Sequence, residues 1–219
     1  MKGILRYLKG TADHFLCLGG EATPDIINQS PRLQLFADAD WANDPMDRKS
    51  ISGYLLTLGT GAFSWKAKKQ DIVASSTTEA ECISLWTGAK HAEHISYFLQ
   101  ELQYPLSRPI LAHQDNKSTI TVCEMPRPKS KYIDVKHCVV RDQVNRKVLE
   151  LQHCPTKKMT ADILTKALPA PQFRELLPQL GMVPSTSVVR QSLLSGEDKA
   201  EADGHSGSLD LRGGVESRS

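Results

Sequence analysis

No apolar stretch of this chain approaches the ~20 residues that a bilayer-spanning helix needs. Nothing in it therefore reads as a membrane span. The chain also lacks any Cys-x-x-Cys pair, and its cysteines number five: Cys17, Cys82, Cys123, Cys138 and Cys154. An odd count without that spacing indicates neither a disulfide framework nor a zinc ribbon, and it points to a reducing compartment. His137-Cys138 and His153-Cys154 come nearest to a zinc set, but no His-x-x-x-His spacing supports them. A secretory apolar core is missing too, because Lys2, Arg6, Lys9 and Asp13 interrupt Met1 to Leu18. There is little net charge: 27 Lys/Arg against 25 Asp/Glu leave a formal +2 over 219 residues. The balance is uneven, since residues 184–219 are acidic on balance and residues 1–183 basic. A modest positive excess around a cluster of acids suits a nucleic-acid partner without requiring one.

What is present divides the same way. From Pro184 onward Ser, Gly, Glu and Asp dominate and no apolar period survives, so 184–219 is expected to be a disordered tail. Before it, residues 3–9 read as the end of a helix stopped by Gly10, and Phe15 to Leu18 as a short strand. Residues 21–31, polar with two prolines, form a connector. Leu33 to Ala39 is a core strand. Residues 52–58 and 62–67, separated by Gly59-Thr60-Gly61, read as a hairpin. A third short strand is expected to include Ile72-Val73-Ala74. Ser76-Thr77-Thr78-Glu79 reads as a capping box, with Glu79 reaching back to the cap. Ala80, Ile83, Trp86, Ile95, Phe98, Leu99 and Leu102 then follow at helical spacing. A strand over 109–113, helices over 116–124 and 133–147, a strand over 148–153 and helices over 160–166 and 172–180 complete the order. That order predicts an α/β fold with a mixed sheet flanked by helices.

Four carboxylates stand at suggestive places in this order. Asp38 ends an apolar run, Glu81 lies one turn into the long helix, Asp115 follows Ile110-Leu111-Ala112, and Asp162 opens a late helix. Acids drawn from two strand ends and two helices suit a hard divalent cation, which takes oxygen ligands. A pair of such ions can serve the attacking and leaving oxygens of a phosphodiester, so the chain reads first as a metal-dependent nuclease. Each acid has a blander reading as well. Asp115 can cap the helix that follows, Asp162 can offset a helix dipole, and Glu81 can be an exposed helix acid.

The motifs themselves carry a resemblance. Phe36-Ala37-Asp38-Ala39-Asp40-Trp41-Ala42, Arg48-Lys49-Ser50-Ile51-Ser52-Gly53-Tyr54 and Trp65-Lys66-x-Lys68-Lys69-Gln70 come first. Thr78-Glu79-Ala80-Glu81, Asp115-Asn116-x-Ser118, Lys131-x-Ile133-Asp134 and Ala161-Asp162-x-x-Thr165-Lys166 follow in order. Together they resemble the ribonuclease H domain of copia-type (LTR) retrotransposon Pol polyproteins. Leu5 to Thr11 is similar to the connection between reverse transcriptase and that domain. The resemblance covers about residues 1–183. It implies a connection remnant over 1–31, a ribonuclease H-like domain over 32–183 and the tail beyond. The implied sheet has five strands, three antiparallel and then parallel ones. Tyr132 and Cys138 stand where the family often has His, and Cys82 where it often has Tyr.

Carried onto this chain, the family's catalytic and metal-binding acids fall on Asp38, Glu81, Asp115 and Asp162. The resemblance implies endonucleolytic hydrolysis of the RNA strand of an RNA–DNA hybrid during reverse transcription. Two Mg²⁺ ions, or Mn²⁺, would be held with Asp38 bridging them. Asp162 would share one ion, and Glu81 and Asp115 the other. Asp40 is at most an acid supporting the site from behind. Lys66, Lys68 and Lys69, at a strand end beside the site, are expected to bind phosphate, with a solvated strand end as the rival reading. Asn116 and Ser118 are candidates for substrate contact, with first-turn capping as the equal alternative. The implied partners are the hybrid and the reverse transcriptase domain of the parent polyprotein, with no membrane. The implied location is intracellular, in cytoplasm or nucleus. The rival from another class is a catalytically silent, nucleic-acid-binding remnant of a retroelement. A second rival is another nuclease of the same superfold.

Overall fold

The computed structural model describes residues 2–18, 32–59, 61–104, 106, 108–125 and 135–185. Helix α1 (Lys2–Gly10) leads into a three-residue strand, β1 (His14–Leu16). The sheet that follows is built by alternation. In β2 (Leu33–Asp40), Leu33, Leu35 and Ala37 are fully buried on one face, while Gln34, Phe36 and Asp38 point to the other. β3 (Ile51–Leu58) and β4 (Ala62–Lys69) are the expected hairpin, antiparallel to each other, and β3 pairs antiparallel with β2.

Helix α2 (Thr77–Glu101) lies across one face of this sheet, and Leu85, Ala89 and Ala92 are buried on Leu33, Leu35, Tyr54 and Leu56. The approach is close. A Cβ at Gly88 would lie 2.7 Å from Leu35 Cδ1 and 3.1 Å from Tyr54 Cβ. β5 (Ile110–Gln114) returns parallel to β2, and α3 (Lys117–Glu124) and α4 (Val135–Asn145) then lead to β6 (Leu149–His153), parallel to β5. The sheet order is β4-β3-β2-β5-β6. Three antiparallel strands followed by two parallel ones, with helices against them, form the expected five-stranded mixed α/β sheet. Two short helices, α5 (Asp162–Thr165) and α6 (Ala170–Leu176), and a last strand, β7 (Met182–Pro184), follow.

β1 and β7 pair in a second, two-stranded sheet. Tyr7 of α1 meets Phe173 of α6 edge-on, with ring centroids 5.6 Å apart. Chain contacts divide the protein into Met1–Val183 and Pro184–Ser219. Of the second unit only Pro184 and Ser185 are described, so the expected tail otherwise lies outside the described residues. So do Lys131, Ile133 and Asp134 and the 21–31 connector.

Two expectations need correction. Ile72-Val73-Ala74 forms no strand. Ile72 and Val73 are exposed, and the Ala74 carbonyl accepts from the Trp41 indole at 3.1 Å instead of from a neighbouring strand. The last helix stops at Leu176, and a 3₁₀ turn covers Pro178–Leu180, because Pro178 cannot donate to a continuing α-helix.

Candidate active site

Parallel pairing sets the first two acids side by side. Gln34, Leu35 and Phe36 of β2 register with Leu111, Ala112 and His113 of β5. The same offset carried two residues further brings Asp38 level with Asp115, just past the end of β5. Glu81 arrives from above, on the first full turn of α2. That turn is fixed at its start by Ser76, whose hydroxyl accepts from the Glu79 amide at 3.1 Å. The Glu79 carboxylate goes one residue further back than the capping box predicts. It takes the Ser75 amide at 2.7 Å and the Ser75 hydroxyl at 2.6 Å. Glu79 is thereby committed to the cap and Glu81 is left to the site. One carboxylate oxygen from each of Asp38, Glu81 and Asp115 lies within 4.8 Å of the others.

Asp162 comes in from the opposite face of the sheet. Gly53 registers with Asp38 and leaves the space that α5 needs: a Cβ there would sit 2.6 Å from Thr165 Cγ2 and 2.9 Å from Leu164 Cβ. Seated on Gly53, α5 and the residue that ends it offer three hydrogen bonds to the acids. The Thr165 hydroxyl donates to Asp38 Oδ2. The Lys166 ammonium donates to Asp38 Oδ1 at 2.9 Å and to Asp162 Oδ1 at 2.8 Å. Asp38 and Asp162 are 0% and 1% exposed, so these partners offset a charge that water does not reach. Asp115 is held separately, its Oδ2 accepting from the Thr156 hydroxyl at 3.1 Å.

Four carboxylates facing one ammonium leave an excess of negative charge, and the titration of the group reflects it. Burial, then the Asp38 and Asp115 carboxylates, push the Glu81 carboxyl up to about 9. Burial also raises Asp162, to about 6, against the pull of Lys166. Burial alone would lower Lys166, but its contacts with Asp162 and Asp38 win, and its pKa is raised. An all-oxygen donor set with surplus negative charge fits a hard divalent cation of the Mg²⁺ or Mn²⁺ class and offers nothing to a soft metal.

No protein-family model matches the chain. The retrovirus-related Pol polyprotein from transposon TNT 1-94 of Nicotiana tabacum is 37% identical over 184 residues, 83% of this chain. That from transposon RE2 of Arabidopsis thaliana is 34% identical over 185 residues, 84% of this chain. This chain is homologous to one segment of transposon Pol polyproteins. It spans 13% and 12% of the length of those two relatives. Among solved structures, it is similar to the N-terminal RNase H domain of Rv2228c from Mycobacterium tuberculosis. The TM-score is 0.47 at 15% identity, over 62% of this chain and 91% of that one.

The other sequence candidates take varied positions. Asn116, and not Asp115, caps α3, its Oδ1 accepting from the Thr119 amide at 3.2 Å. Ser118 is exposed on the first turn. Lys66, Lys68 and Lys69 line a groove between β4 and α2 with Tyr54, Ile83 and Trp86. Gly53 registers with Ala67, so alternation points Lys66 and Lys68 to the face opposite Asp38. Lys68 pairs with Asp71 at 3.1 Å, and Lys69 with Asp44 and Asp47 at 2.5 and 2.9 Å. Asp40 accepts from the Asn43 side chain, and burial raises its pKa. Side chains that sequence reasoning left without a role are Gln114, Thr156, Thr165 and Lys166. Gln114 is fully buried and donates to Glu81 Oε2 at 3.3 Å while its Oε1 accepts from the Asn116 amide at 3.0 Å. Its position beside Asp115 was the available signal for it. For Thr165 and Lys166 the signal was their place in the Asp162 motif.

Proposed function

We propose that this chain is the ribonuclease H of a copia-type retrotransposon. It would cut the RNA strand of RNA–DNA hybrids endonucleolytically during reverse transcription, with Mg²⁺ or Mn²⁺ as its cofactor. The observation that carries this reading is the convergence of Asp38, Glu81 and Asp115 oxygens within 4.8 Å in a homologue of transposon Pol polyproteins. Asp38, Glu81, Asp115 and Asp162 would hold two divalent ions. Bound there, the ions supply Lewis acidity to a water nucleophile and charge stabilisation to the departing 3′-oxygen.

The chain's own residues then have definite tasks. Gln114 fixes the Glu81 carboxylate and Thr156 the Asp115 carboxylate, so both present oxygens to one point. Thr165 orients Asp38 from below. Lys66, and Lys68 and Lys69 if drawn from their acids, would contact the phosphate backbone, which positions a duplex without reading its sequence. Asn116 and Ser118 would approach it from the first turn of α3. Residues 1–31 would be a remnant of the reverse transcriptase connection, 32–183 the nuclease domain and 184–219 a tail. The polymerase domain of the parent polyprotein is the implied partner, and the work would be done inside the cell, in cytoplasm or nucleus. Among the described residues no helix is long and apolar enough to cross a membrane.

Incubation with end-labelled RNA–DNA hybrid in Mg²⁺, beside Asp38→Asn, tests the proposal. The expected result is RNA-strand cleavage that yields 5′-phosphate ends and falls by roughly 10²–10³-fold or more in the variant. Hybrid binding without cleavage in both proteins would favour the silent remnant, and cutting of duplex DNA a different nuclease.

A further inference from the structure

The group able to share one ion comprises Asp38, Glu81 and Asp115, and Asp162 is not in it. Asp162 is instead turned to Lys166. One ammonium takes Oδ1 of Asp38 at 2.9 Å and Oδ1 of Asp162 at 2.8 Å, both on carboxylates with almost no exposure. The other oxygen of Asp38 receives the Thr165 hydroxyl. The Lys166 amide is fixed to the Asp162 carbonyl at 2.9 Å, so its stem is tied to the helix that carries Asp162. Its side chain is 32% exposed, which leaves the flexible end a way out to solvent.

We propose that Lys166 is a built-in counter-ion that competes with a divalent cation for the Asp38–Asp162 side of the site. The inference rests on the metal-site reading above and adds to it an order of occupancy. The lone pairs that receive the Lys166 ammonium are the ones a cation shared by Asp38 and Asp162 must use. An ammonium and a divalent ion cannot hold the same oxygens. On the side formed by Asp38, Glu81 and Asp115, Lys166 reaches Asp38 alone; Glu81 and Asp115 have no such internal cation among the described residues, which leaves that side the more open to an ion. In the free protein the two sides are therefore unequal: the first binds readily, and the second binds only as Lys166 leaves. A phosphate drawn close to the site would attract the displaced ammonium, so nucleic acid would promote the second occupancy. Lys166 acts here as a positioning residue, through the two carboxylates it holds.

Titration of the full chain with Mn²⁺, followed by electron paramagnetic resonance without nucleic acid, reads this directly. Wild type, Lys166→Gln, Lys166→Arg and Asp38→Asn are compared, each with its melting temperature in EDTA and in Mn²⁺. The expected result is one readily bound ion in wild type and in Lys166→Arg. In Lys166→Gln the weaker site should tighten by about tenfold, within the usual range of coupling between sites. Lys166→Gln should melt lower in EDTA and show the larger rise on adding Mn²⁺. A merely structural lysine would lower the melting temperature equally in both buffers. Identical Mn²⁺ binding in wild type and Lys166→Gln overturns the proposal while leaving the metal site intact. Equal tightening in Lys166→Arg overturns it as well, because shape and not charge would then govern. If neither wild type nor Lys166→Gln binds Mn²⁺, the metal-site reading itself fails and the proposal falls with it.

Discussion

Glu81 and Lys166 sit at the same site, and Glu81 controls the pH response of the metal-free protein. Its carboxyl is pushed up to about 9 by burial and then by Asp38 and Asp115, whereas the unfolded chain releases that proton near 4.5. The folded state binds more protons between those values. The stability Glu81 contributes is thus complete below pH 4.5 and is lost as pH rises towards 9. His91 and His113, both lowered by burial, work in the opposite sense but only below about 6.5, and Asp162 is finished above about 6. The window from pH 7 to 9 therefore belongs to Glu81, with the buried thiols of Cys82 and Cys154, both raised, adding the same sign near its top. In EDTA the melting temperature should fall from pH 7 to pH 9, and Glu81→Gln should flatten most of that slope. An unchanged slope in the variant would mean that Glu81 is already ionised in the fold. The sequence offered the four acids as candidates because each stands at or within a turn of an element's end inside a motif, and three of them lie together in the structure. The motif placed Lys166 near Asp162, but nothing local shows that residue 166 reaches a strand 128 positions away.

The elements that bring these side chains together depend on one small residue and a cap. α5 can lie on the sheet only because Gly53 has no Cβ. The atoms that a Cβ would strike belong to Thr165 and to the first carbon of Leu164, neither of which can swing aside. Gly53→Ala should therefore lift α5, cost about 1–3 kcal/mol and separate Thr165 and Lys166 from Asp38. Thermal melting and Mn²⁺ affinity measured together should both change, and a fully stable, normally binding variant would contradict this packing. Ser76→Ala removes the cap that fixes the first turn of α2, so a loss of about 1 kcal/mol is expected, together with weaker metal binding through Glu81. The cap and the long apolar period made α2 readable, as alternation and the Gly-x-Gly turn did for the β3–β4 hairpin. Ile72-Val73-Ala74 misled because β-branched residues look like a strand wherever they occur. Strand formation needs a partner edge, and the Trp41 indole takes the Ala74 carbonyl instead.

At the scale of the molecule, the face of the sheet that carries α5 is finished by the two ends of the described chain. Tyr7 and Leu16 from one end and Phe173, Leu177 and Met182 from the other line an apolar cleft of about 390 Å³ over Leu55 and Trp65. β1 pairs with β7, and the Cys17 amide donates to the Gly181 carbonyl at 2.8 Å. Three-residue strands this far apart carry no periodic signal, so their pairing could not be read from residue pattern; the longer strands of the main sheet could be read as a mixed sheet, and their five-stranded arrangement came from the resemblance. The packing gives residues 2–18 a structural task whatever their origin. Removing residues 1–18 should uncover Leu55, Trp65 and Phe173 and cost the Tyr7–Phe173 pair along with the β1 ladder. The loss should be about 2 kcal/mol, hence roughly 4–8 °C in melting temperature. Thr160, Ile163 and Leu164 line the same cleft, so α5 loses its outer support in that truncation. Asp38, Glu81 and Asp115 are fixed by β2, α2 and β5 and keep theirs. Mn²⁺ should thus still bind at the three-acid side with near-normal affinity while the Asp162 side weakens. Equal loss at both sides would mean that the chain ends support the whole sheet and not α5 in particular.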